Sequence, residues 1–265
     1  MPGVREALDQ AERAIARAGS DTARLDAELL AADALGITRA QIYADGRVQM
    51  PDAAARRLDA LVARRVRREP VAYILGSKGF RHIEVAVDSR VLIPRPESEL
   101  LVESALGLPD GAHAHDVGTG SGAIALALKQ ERPGLVVSAS DVSPDAVAVA
   151  RLNARQLGLD VPVAVHRGLP PGQYDLVIAN LPYVREDEWE GLAPEITEYE
   201  PREALVSGAD GLDAIRALVR EVPAGTALAL EHAPAQAEAV RALLDDAETH
   251  RDLAGRERAT IGRAR

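Results

Sequence analysis

Two short stretches of the sequence combine residue types that suit ligand binding. The stretch "DVGTGSG", residues 116–122, alternates glycines with small hydroxyl residues, and the stretch "VVSASD" ends on Asp141. Glycines let a backbone turn tightly and approach a ligand closely, and the amides at a following helix start face that ligand. Asp141 lies 19 positions after Gly122, where a carboxylate can accept both hydroxyls of an adenosine ribose. The two stretches are therefore typical of a site for an adenosine-containing ligand.

A third stretch, "DLVIANLPYV", is an apolar run typical of a buried strand that stops at Asn180. Leu181, Pro182 and Tyr183 follow, so an amide, a rigid turn and an aromatic ring stand side by side at the strand end. Taken alone, Asn180 also fits a plain turn residue ahead of a proline, with Tyr183 packed in the core.

The first two stretches also have second interpretations. The glycine run fits the dinucleotide fingerprint G-x-G-x-x-G/A through Gly118, Gly120 and Ala123, and Asp141 suits either ligand because both contain a ribose. Asp141 is equally suited to cap the helix that begins after it. A nicotinamide enzyme, however, has no stated need for the Asn-x-Pro-aromatic stretch. The three stretches together therefore favour one shared site over three unrelated local features.

The elements that must position these stretches alternate from about residue 112 onward. Strands are predicted at "AHAHDV", "LVVSASD", "VPVAVH", "YDLVIAN" and "TALALEH", and helices at "SGAIALALKQE", "SPDAVAVARLNARQLG" and near residues 212–222 and 235–244. The stretch "THRDLAGRERATIGR" predicts two final strands joined at Gly255. This alternation predicts an α/β fold with a mostly parallel sheet, covered on both faces, and an antiparallel terminal hairpin. Ligands of such sheets bind beyond the carboxyl ends of the strands, where all three stretches lie.

The first 70 residues or so follow a helical period only. Helices are predicted at "VREALDQAERAIARAG", "SDTARLDAELLAADALG" and "PDAAARRLDALVARRVRREP". Ser20 and Asp21 are candidate caps of the second helix. Its apolar face is predicted to contain Leu25, Leu29 and Leu30, and the third helix is predicted to bury Leu58, Leu61, Val62 and Val66. The pattern indicates a small bundle that carries no constellation of catalytic groups.

Between the bundle and the alternating region, the period changes. "FRHIEVAVD" alternates like a strand and is predicted to form a hairpin with "VAYILG" before it. In "VLIPRPESELLVESALG", which follows, Pro94 and Pro96 break the strand, and helical spacing resumes at Glu97.

Composition excludes several classes of function. The chain has no Cys, which excludes disulfides and thiolate nucleophiles, and its six His are scattered, so no metal site is expected. No apolar run reaches the ~18 residues that a membrane span needs, and a cytoplasmic location is expected. The formal charge of −10 argues against non-specific nucleic-acid binding. The basic run "ARRVRRE" is interpreted as a solvated helix face rather than a basic patch.

The chain resembles the class I S-adenosylmethionine-dependent methyltransferases, and within them the peptide-chain release factor glutamine N5-methyltransferases. The resemblance extends over nearly the whole sequence, through "EPVAYILG", "LIPRPESELLVE", "DVGTGSGAIALAL", "DVSPDAVAVARLNA", "EYEPREAL", "GADGL" and "RDLAGRERATIGR". Many methyltransferases share the glycine stretch, whereas "LIPRPESELLVE" followed by an N-P-P-Y-like motif and "EPREAL" is highly specific.

The resemblance implies a Rossmann-like methyltransferase sheet and a chain of three parts. These are a helical bundle at residues 1–70 that docks the substrate, a connecting β-hairpin at residues 71–93 and a catalytic domain at residues 94–265. It also implies S-adenosyl-L-methionine as cofactor, S-adenosyl-L-homocysteine as its product and a release factor as the protein partner. The residues implied in cofactor binding are Asp116, Gly118, Thr119, Gly120, Ser121, Gly122, Asp141, Leu169 and Asn180.

The third stretch gains a chemical role from the resemblance. An amide nitrogen is a poor nucleophile because its lone pair is delocalised, so acceptors must fix its two N–H groups in line with the methyl donor. The resemblance assigns these acceptors to the side-chain oxygen of Asn180 and the carbonyl of Leu181, whose dipoles also stabilise the positive charge that develops on nitrogen. Pro182 keeps the turn rigid, and Tyr183 stacks on the planar amide and excludes water.

Two positions depart from the family pattern. The family usually has proline where this chain has Leu181, and the form Asn-Leu-Pro-Tyr also resembles ribosomal RNA adenine dimethyltransferases. An acidic-aromatic pair often packs near the adenine where this chain has Gly168 and Leu169. Besides the favoured glutamine methyltransferase, two alternatives stay open: an rRNA or DNA amino-group (adenine N6) methyltransferase, and a non-catalytic methyltransferase-like binding module. The acidic charge favours a protein over a nucleic acid as substrate.

Overall fold

The computed structural model describes residues 3–44 and 49–265, which form two compact units. The first unit contains the residues up to Gly76 together with Ala193–Tyr199, and the second contains Ser77–Leu192 and Glu200–Arg265. Within the described ranges, no helix combines the length and the apolar character needed to cross a bilayer.

The regular elements in the described residues of the first unit are helices. They are α1 (Val4–Arg17), α2 (Ala23–Leu35), α3 (Arg39–Ala44), α4 (Asp52–Val66), α5 (Val71–Leu75) and, from the later segment, α9 (Pro194–Thr197). Leu8 and Ile15 lie on one face of α1 and pack with Leu30 of α2 and Leu58 of α4 in a single apolar core. Helices α1, α2 and α4 confirm the three helices predicted from the sequence.

Helix α2 buries Leu30 as predicted, but the rest of its buried face differs from the predicted one. Leu25 is exposed, and the buried face of the helix contains Ala23, Ala27, Leu30 and Ala31. Small alanines let neighbouring helices approach closely, which favours this face over a leucine face. The predicted caps are also wrong, because Thr22 occupies the N-cap position and makes no side-chain cap hydrogen bond.

The basic run in α4 contains a buried ion pair. Arg65 is only 5% exposed and donates from Nε to Asp26 Oδ2 at 2.7 Å and from Nη2 to Glu195 Oε1 at 2.8 Å. Arg68 donates to the other oxygen of Glu195 at 2.6 Å. The interpretation of a solvated face is therefore wrong for Arg65, whose charge two carboxylates neutralise. Val66, predicted as core, is exposed instead.

The hairpin lies later in the chain than the sequence predicts. The stretch "VAYILG" is not a strand, because Pro70 precedes the first turn of α5 and Gly76 ends that helix in the left-handed region at φ +76°. Proline and glycine at these two ends suit a short helix better than a strand. The two strands are β1 (Ser77–Phe80) and β2 (Ile83–Ala86), which pair antiparallel.

The second unit contains a seven-stranded sheet in the order β5-β4-β3-β6-β7-β9-β8. The parallel strands are β3 (His113–Val117), β4 (Val136–Asp141), β5 (Val163–Val165), β6 (Leu176–Ala179) and β7 (Ala227–Glu231). Strands β8 (Leu244–Arg251) and β9 (Glu257–Ala264) form the antiparallel hairpin at one edge. The helices are α6 (Glu99–Ala105), α7 (Ala123–Glu131), α8 (Pro144–Leu157), α10 (Asp213–Glu221) and α11 (Ala237–Arg241).

This sheet confirms the predicted α/β fold class. All four residues of β6 are buried, so both faces of the sheet are covered at its centre. One boundary differs from the prediction, because the last helix ends at Arg241 and β8 already begins at Leu244.

Candidate active site

The sheet register brings the three chemistry-bearing stretches to one edge. Val117, the last residue of β3, pairs with Ser140 of β4 on one side and with Ala179 of β6 on the other. The residues that follow these positions are Gly118, Asp141 and Asn180. The chain builds the sheet from β3 through β4 to β5 on one side and then returns to add β6 on the other side of β3. Such a reversal of strand order is a switch point, where open α/β sheets bind ligands.

Three glycines shape the loop after β3. Gly118, Gly120 and Gly122 have φ of +72°, +54° and +84°, a region that residues with a side chain rarely adopt. A Cβ built on Gly118 would lie 2.9 Å from Cδ2 of Leu181, whereas a Cβ on Gly120 meets nothing within 4 Å. The space above Gly120 is therefore open to a ligand, and the space above Gly118 is closed by the Asn-Leu-Pro-Tyr stretch.

Asp141 ties this loop to the start of α8. Its Oδ2 accepts from the amide of Gly120 and its Oδ1 from the amide of Ser143, each at 2.9 Å. Ser143, not Asp141, is the N-cap residue of α8, and its hydroxyl accepts from the amide of Ala146 at 3.2 Å. A half-buried carboxylate has about four lone-pair sites, so Asp141 keeps acceptor capacity for further donors.

Asp116 lies beneath the loop and is 1% exposed. Its Oδ2 accepts from the hydroxyl of Thr119 at 2.6 Å, and among the described residues its Oδ1 has no partner. Burial, and to a smaller extent the charge of Asp141, raise the pKa of the Asp116 carboxyl to about 7, against the opposing effects of the Thr119 hydroxyl and the backbone amide of Ala125. The predicted ligand residue thus supports the loop from inside the protein.

Asn180 borders a small cavity at the glycine loop. Backbone and side chains of residues 118–121 line one side, and Phe80, Leu92, Pro94 and Ser98 line the other. The cavity has a volume of about 50 Å³, and a water molecule in the liquid occupies roughly 30 Å³. It therefore suits the reacting groups of a ligand rather than a whole nucleotide.

The amide nitrogen of Asn180 is bound by a residue that sequence reasoning missed. Asn180 Nδ2 donates to Ser98 Oγ at 2.9 Å. Ser98 ends the 3-10 turn Pro96–Ser98 ahead of α6 and is almost fully buried. Ser98 lies in the stretch "LIPRPESE", which carries part of the family resemblance, but no local period assigns Ser98 to this contact.

Tyr183 is anchored at both its hydroxyl and its backbone. The hydroxyl donates to Glu231 Oε1 at 3.1 Å, and the carbonyl accepts from Gln236 Nε2 at 2.9 Å. Burial, and then the charge of Glu231, raise the pKa of the Tyr183 phenol, which therefore stays protonated. Sequence reasoning also missed Glu231 and Gln236. They are the last residues of a strand and of a 3-10 turn, and neither element carries a motif.

Two of the predicted residues pack beside the cavity rather than in it. Leu181 and Leu169 both lie against an apolar cluster that includes Val177 and Leu228. The amide of Leu169 donates to Glu221 Oε2 at 2.9 Å. Neither side chain lines the cavity at Asn180.

The two most specific stretches of the sequence meet at one carboxylate. Glu200 of "EYEPREAL" is buried, and its Oε2 accepts from the amide of Ile93 at 3.1 Å. Its Oε1 binds the guanidinium of Arg95 in "LIPRPESE". A buried carboxylate paired in this way holds the proline turn that precedes Ser98.

Two family descriptions match the chain. Residues 6–76 match the PrmC N-terminal domain, and residues 96–208 match the methyltransferase small domain. The catalytic domain of hMettl16 in complex with a hairpin of the MAT2A 3′UTR has a similar fold, with a TM-score of 0.51 at 16% identity. That similarity covers 82% of this chain and 84% of the other, and it supports the methyltransferase fold.

Three relatives of similar length share one name, release factor glutamine methyltransferase. The release factor glutamine methyltransferase of Rhodospirillum rubrum is 40% identical over 274 residues, which cover 97% of this chain and 84% of the relative. The release factor glutamine methyltransferase of Xylella fastidiosa strain Temecula1 is 42% identical over 260 residues, 91% of this chain and 93% of the relative. That of Geobacter sulfurreducens is 38% identical, with 98% and 96% covered. Together with the site at the switch point of the sheet, this similarity shows that the chain belongs to the release factor glutamine methyltransferase family.

Proposed function

We propose that this protein transfers a methyl group from S-adenosylmethionine to N5 of the glutamine in the GGQ motif of a peptide-chain release factor. The names of its relatives support the reaction and the protein substrate. One observation of this structure carries the proposal: the side chain of Asn180 borders the cavity at the glycine loop, and its nitrogen is already bound by Ser98. The acceptor end of the amide is thereby left for a donor such as a glutamine N–H.

The loop and Asp141 fit S-adenosylmethionine. The open space above Gly120 admits a ligand close to the backbone, and Asp141 has acceptor capacity left for the ribose hydroxyls. Gly118, Thr119, Ser121 and Gly122 complete the proposed contact surface, and Asp116 supports it from below. When bound, the cofactor supplies a methyl group that its sulfonium makes electrophilic.

The residues after β6 hold the substrate amide. A primary amide offers two N–H donors, and Asn180 Oδ1 and the Leu181 carbonyl are the proposed acceptors. They orient the nitrogen lone pair toward the methyl group and stabilise the positive charge that develops on nitrogen as the carbon–sulfur bond breaks. One N–H proton then leaves to water, which gives the neutral N-methyl amide and S-adenosylhomocysteine. Because Glu231 and Gln236 anchor Tyr183, its ring is held in place before substrate arrives and can stack on the amide plane.

The test is transfer of label from S-adenosylmethionine to a purified release factor, followed by peptide mass mapping. We expect one added methyl group on the GGQ glutamine. A release factor with glutamate at that position is the matched control, because glutamate keeps the shape and lacks the amide nitrogen. Ribosomal RNA is assayed in parallel. Preferential labelling of RNA would favour the adenine methyltransferase, and cofactor binding without any transfer would favour a binding module.

We further infer that the helical unit docks the release factor. Its match to the PrmC N-terminal domain supports this role. The wild-type protein is therefore expected to methylate an intact release factor with a much higher kcat/KM than a short peptide containing the same GGQ sequence. Equal values for the two substrates would contradict a docking role outside the catalytic site.

A further inference from the structure

A chain of buried polar groups lies behind the amide of Asn180. Ser98, which accepts from Asn180 Nδ2 at 2.9 Å, is 3% exposed, and Glu231, the last residue of β7, is 1% exposed. The hydroxyls of Ser98 and Tyr183 both hydrogen bond to the Glu231 carboxyl group. The proposed function uses Ser98 as the partner of the Asn180 nitrogen and Glu231 as the anchor of Tyr183, but it does not say what makes Ser98 accept from Asn180 rather than donate to it.

The chemistry of these groups gives the chain a direction. A serine hydroxyl has one proton to donate and lone pairs that accept. If the proton of Ser98 goes to the carboxyl group of Glu231, only the lone pairs of Ser98 are left for Asn180. A lone pair binds the nitrogen of an amide and not its oxygen. The carboxyl group thus decides, through one hydroxyl, which end of the Asn180 amide faces the substrate.

The acceptor role of Glu231 does not depend on its charge. The Tyr183 hydroxyl donates to Oε1 of Glu231, and among the described residues Oε2 has no hydrogen-bond partner of ordinary geometry. Burial raises the pKa of Glu231, while the hydrogen bonds of Ser98 and Tyr183 and the nearby Arg258 lower it. A carboxyl group that takes up a proton on one oxygen still has lone pairs on the other that accept from a hydroxyl.

We propose that Ser98 and Glu231 are positioning residues that hold the Asn180 side chain with its oxygen toward the substrate amide. The inference rests on the proposed function, because it assigns the orientation of a group that the reaction uses. A half-turn of the Asn180 amide would point two N–H donors at the N–H donors of the substrate. Binding of the glutamine in line with the methyl donor would then be lost.

Kinetic measurements on four variants separate this role from a general structural one. Ser98→Ala and Glu231→Leu remove the donor and the acceptor, and we expect kcat to fall about 10- to 100-fold, as for outer partners that orient metal ligands. Ser98→Thr keeps the hydroxyl and Glu231→Gln keeps an acceptor oxygen, so both should retain most of the turnover. Affinity for S-adenosylmethionine should stay close to wild type in all four, and KM for the release factor should do so in the two Ser98 variants, which leave the contact between Tyr183 and Glu231 in place. Ser104→Ala, in the helix α6 that follows Ser98 and bound to the carbonyl of Leu101, is the matched control.

A second readout does not need turnover. In protein labelled with nitrogen-15, the side-chain amide of Asn180 is assigned by its loss in Asn180→Ala. Its hydrogen exchange should be slow in the wild type and in Ser98→Thr and Glu231→Gln, and faster in Ser98→Ala and Glu231→Leu. Failure of the wild type to methylate a release factor would sink the proposed function and leave this readout intact. Unchanged turnover and exchange in Ser98→Ala and Glu231→Leu would overturn the positioning role, as would a loss in Glu231→Gln equal to that in Glu231→Leu.

Discussion

Replacing Asp116 by Asn tests the electrostatics beneath the glycine loop. Burial raises the pKa of this carboxyl from 3.8 to about 7, so the folded protein holds the proton more tightly than the unfolded chain does. The stabilising contribution of the group is complete below about pH 4 and is lost as the pH rises through about 7. A shift of about three units at 1.36 kcal/mol each corresponds to about 4 kcal/mol lost by about pH 8.

The asparagine variant carries a different cost that does not vary with pH. Its amide oxygen can replace Oδ2 as the acceptor for Thr119, and its nitrogen then takes the place of Oδ1, which has no partner in the described part of the chain. A buried unpaired donor costs about 1–3 kcal/mol at every pH. The informative quantity is therefore the change with pH of the difference in unfolding free energy between variant and wild type.

The assay is urea unfolding without cofactor, followed by circular dichroism from about pH 4 to about pH 8. We expect the unfolding free energy of Asp116→Asn to gain about 4 kcal/mol relative to wild type over this range. Burial lowers the pKa of neighbouring His115 to about 4, which destabilises the fold as the pH falls, but this contribution is common to both proteins and cancels. Asp160→Asn, at an exposed carboxylate, controls for the change in net charge. A difference between Asp116→Asn and wild type that stays constant across the range would refute the reasoning.

Three further outcomes follow from other contacts. Asp141→Ala should weaken S-adenosylmethionine binding by about 1–3 kcal/mol, since the carboxylate is the proposed ribose acceptor and also the partner of a loop amide; unchanged affinity by calorimetry in a folded variant would exclude it from the site. Asn180→Ala should lower turnover on the release factor by about 10²–10³, and full turnover in that variant would contradict the assigned acceptor. Leu181→Pro should leave turnover nearly unchanged, because residue 181 is proposed to act through its backbone carbonyl. Arg65→Ala should lower the unfolding free energy of the helical unit by up to about 3–5 kcal/mol, because the buried carboxylate of Asp26 loses its charged partner while the half-buried Glu195 keeps Arg68. Arg67→Ala at an exposed position should have little effect, and equal thermal midpoints for the two variants would show that the buried pair adds no stability.

The sequence by itself determined the fold class and the location of the site. Strands and helices of the second unit follow local periods, and alternation of the two requires parallel strands whose carboxyl ends share an edge. Gly118 directly follows a predicted strand, and Asp141 and Asn180 are the last residues of two others, so their proximity could be inferred without coordinates. Local patterns predicted the short elements less well. The segment Val71–Leu75 is an apolar run typical of a strand, but it forms a helix because Pro70 and Gly76 at its ends favour one.

The tertiary structure alone decided which side chains support that site. Ser98 meets Asn180 across 82 positions of the chain, Tyr183 meets Glu231 across 48, and Ile93 meets Glu200 across 107. The environment of Arg65 was likewise decided by tertiary structure. A helical period places it on a charged surface, but it is buried and paired with two carboxylates that are distant in the sequence. A hydrogen bond between residues so far apart leaves no period or spacing in the sequence, because it depends on how separate elements pack and on which polar groups burial leaves to be paired.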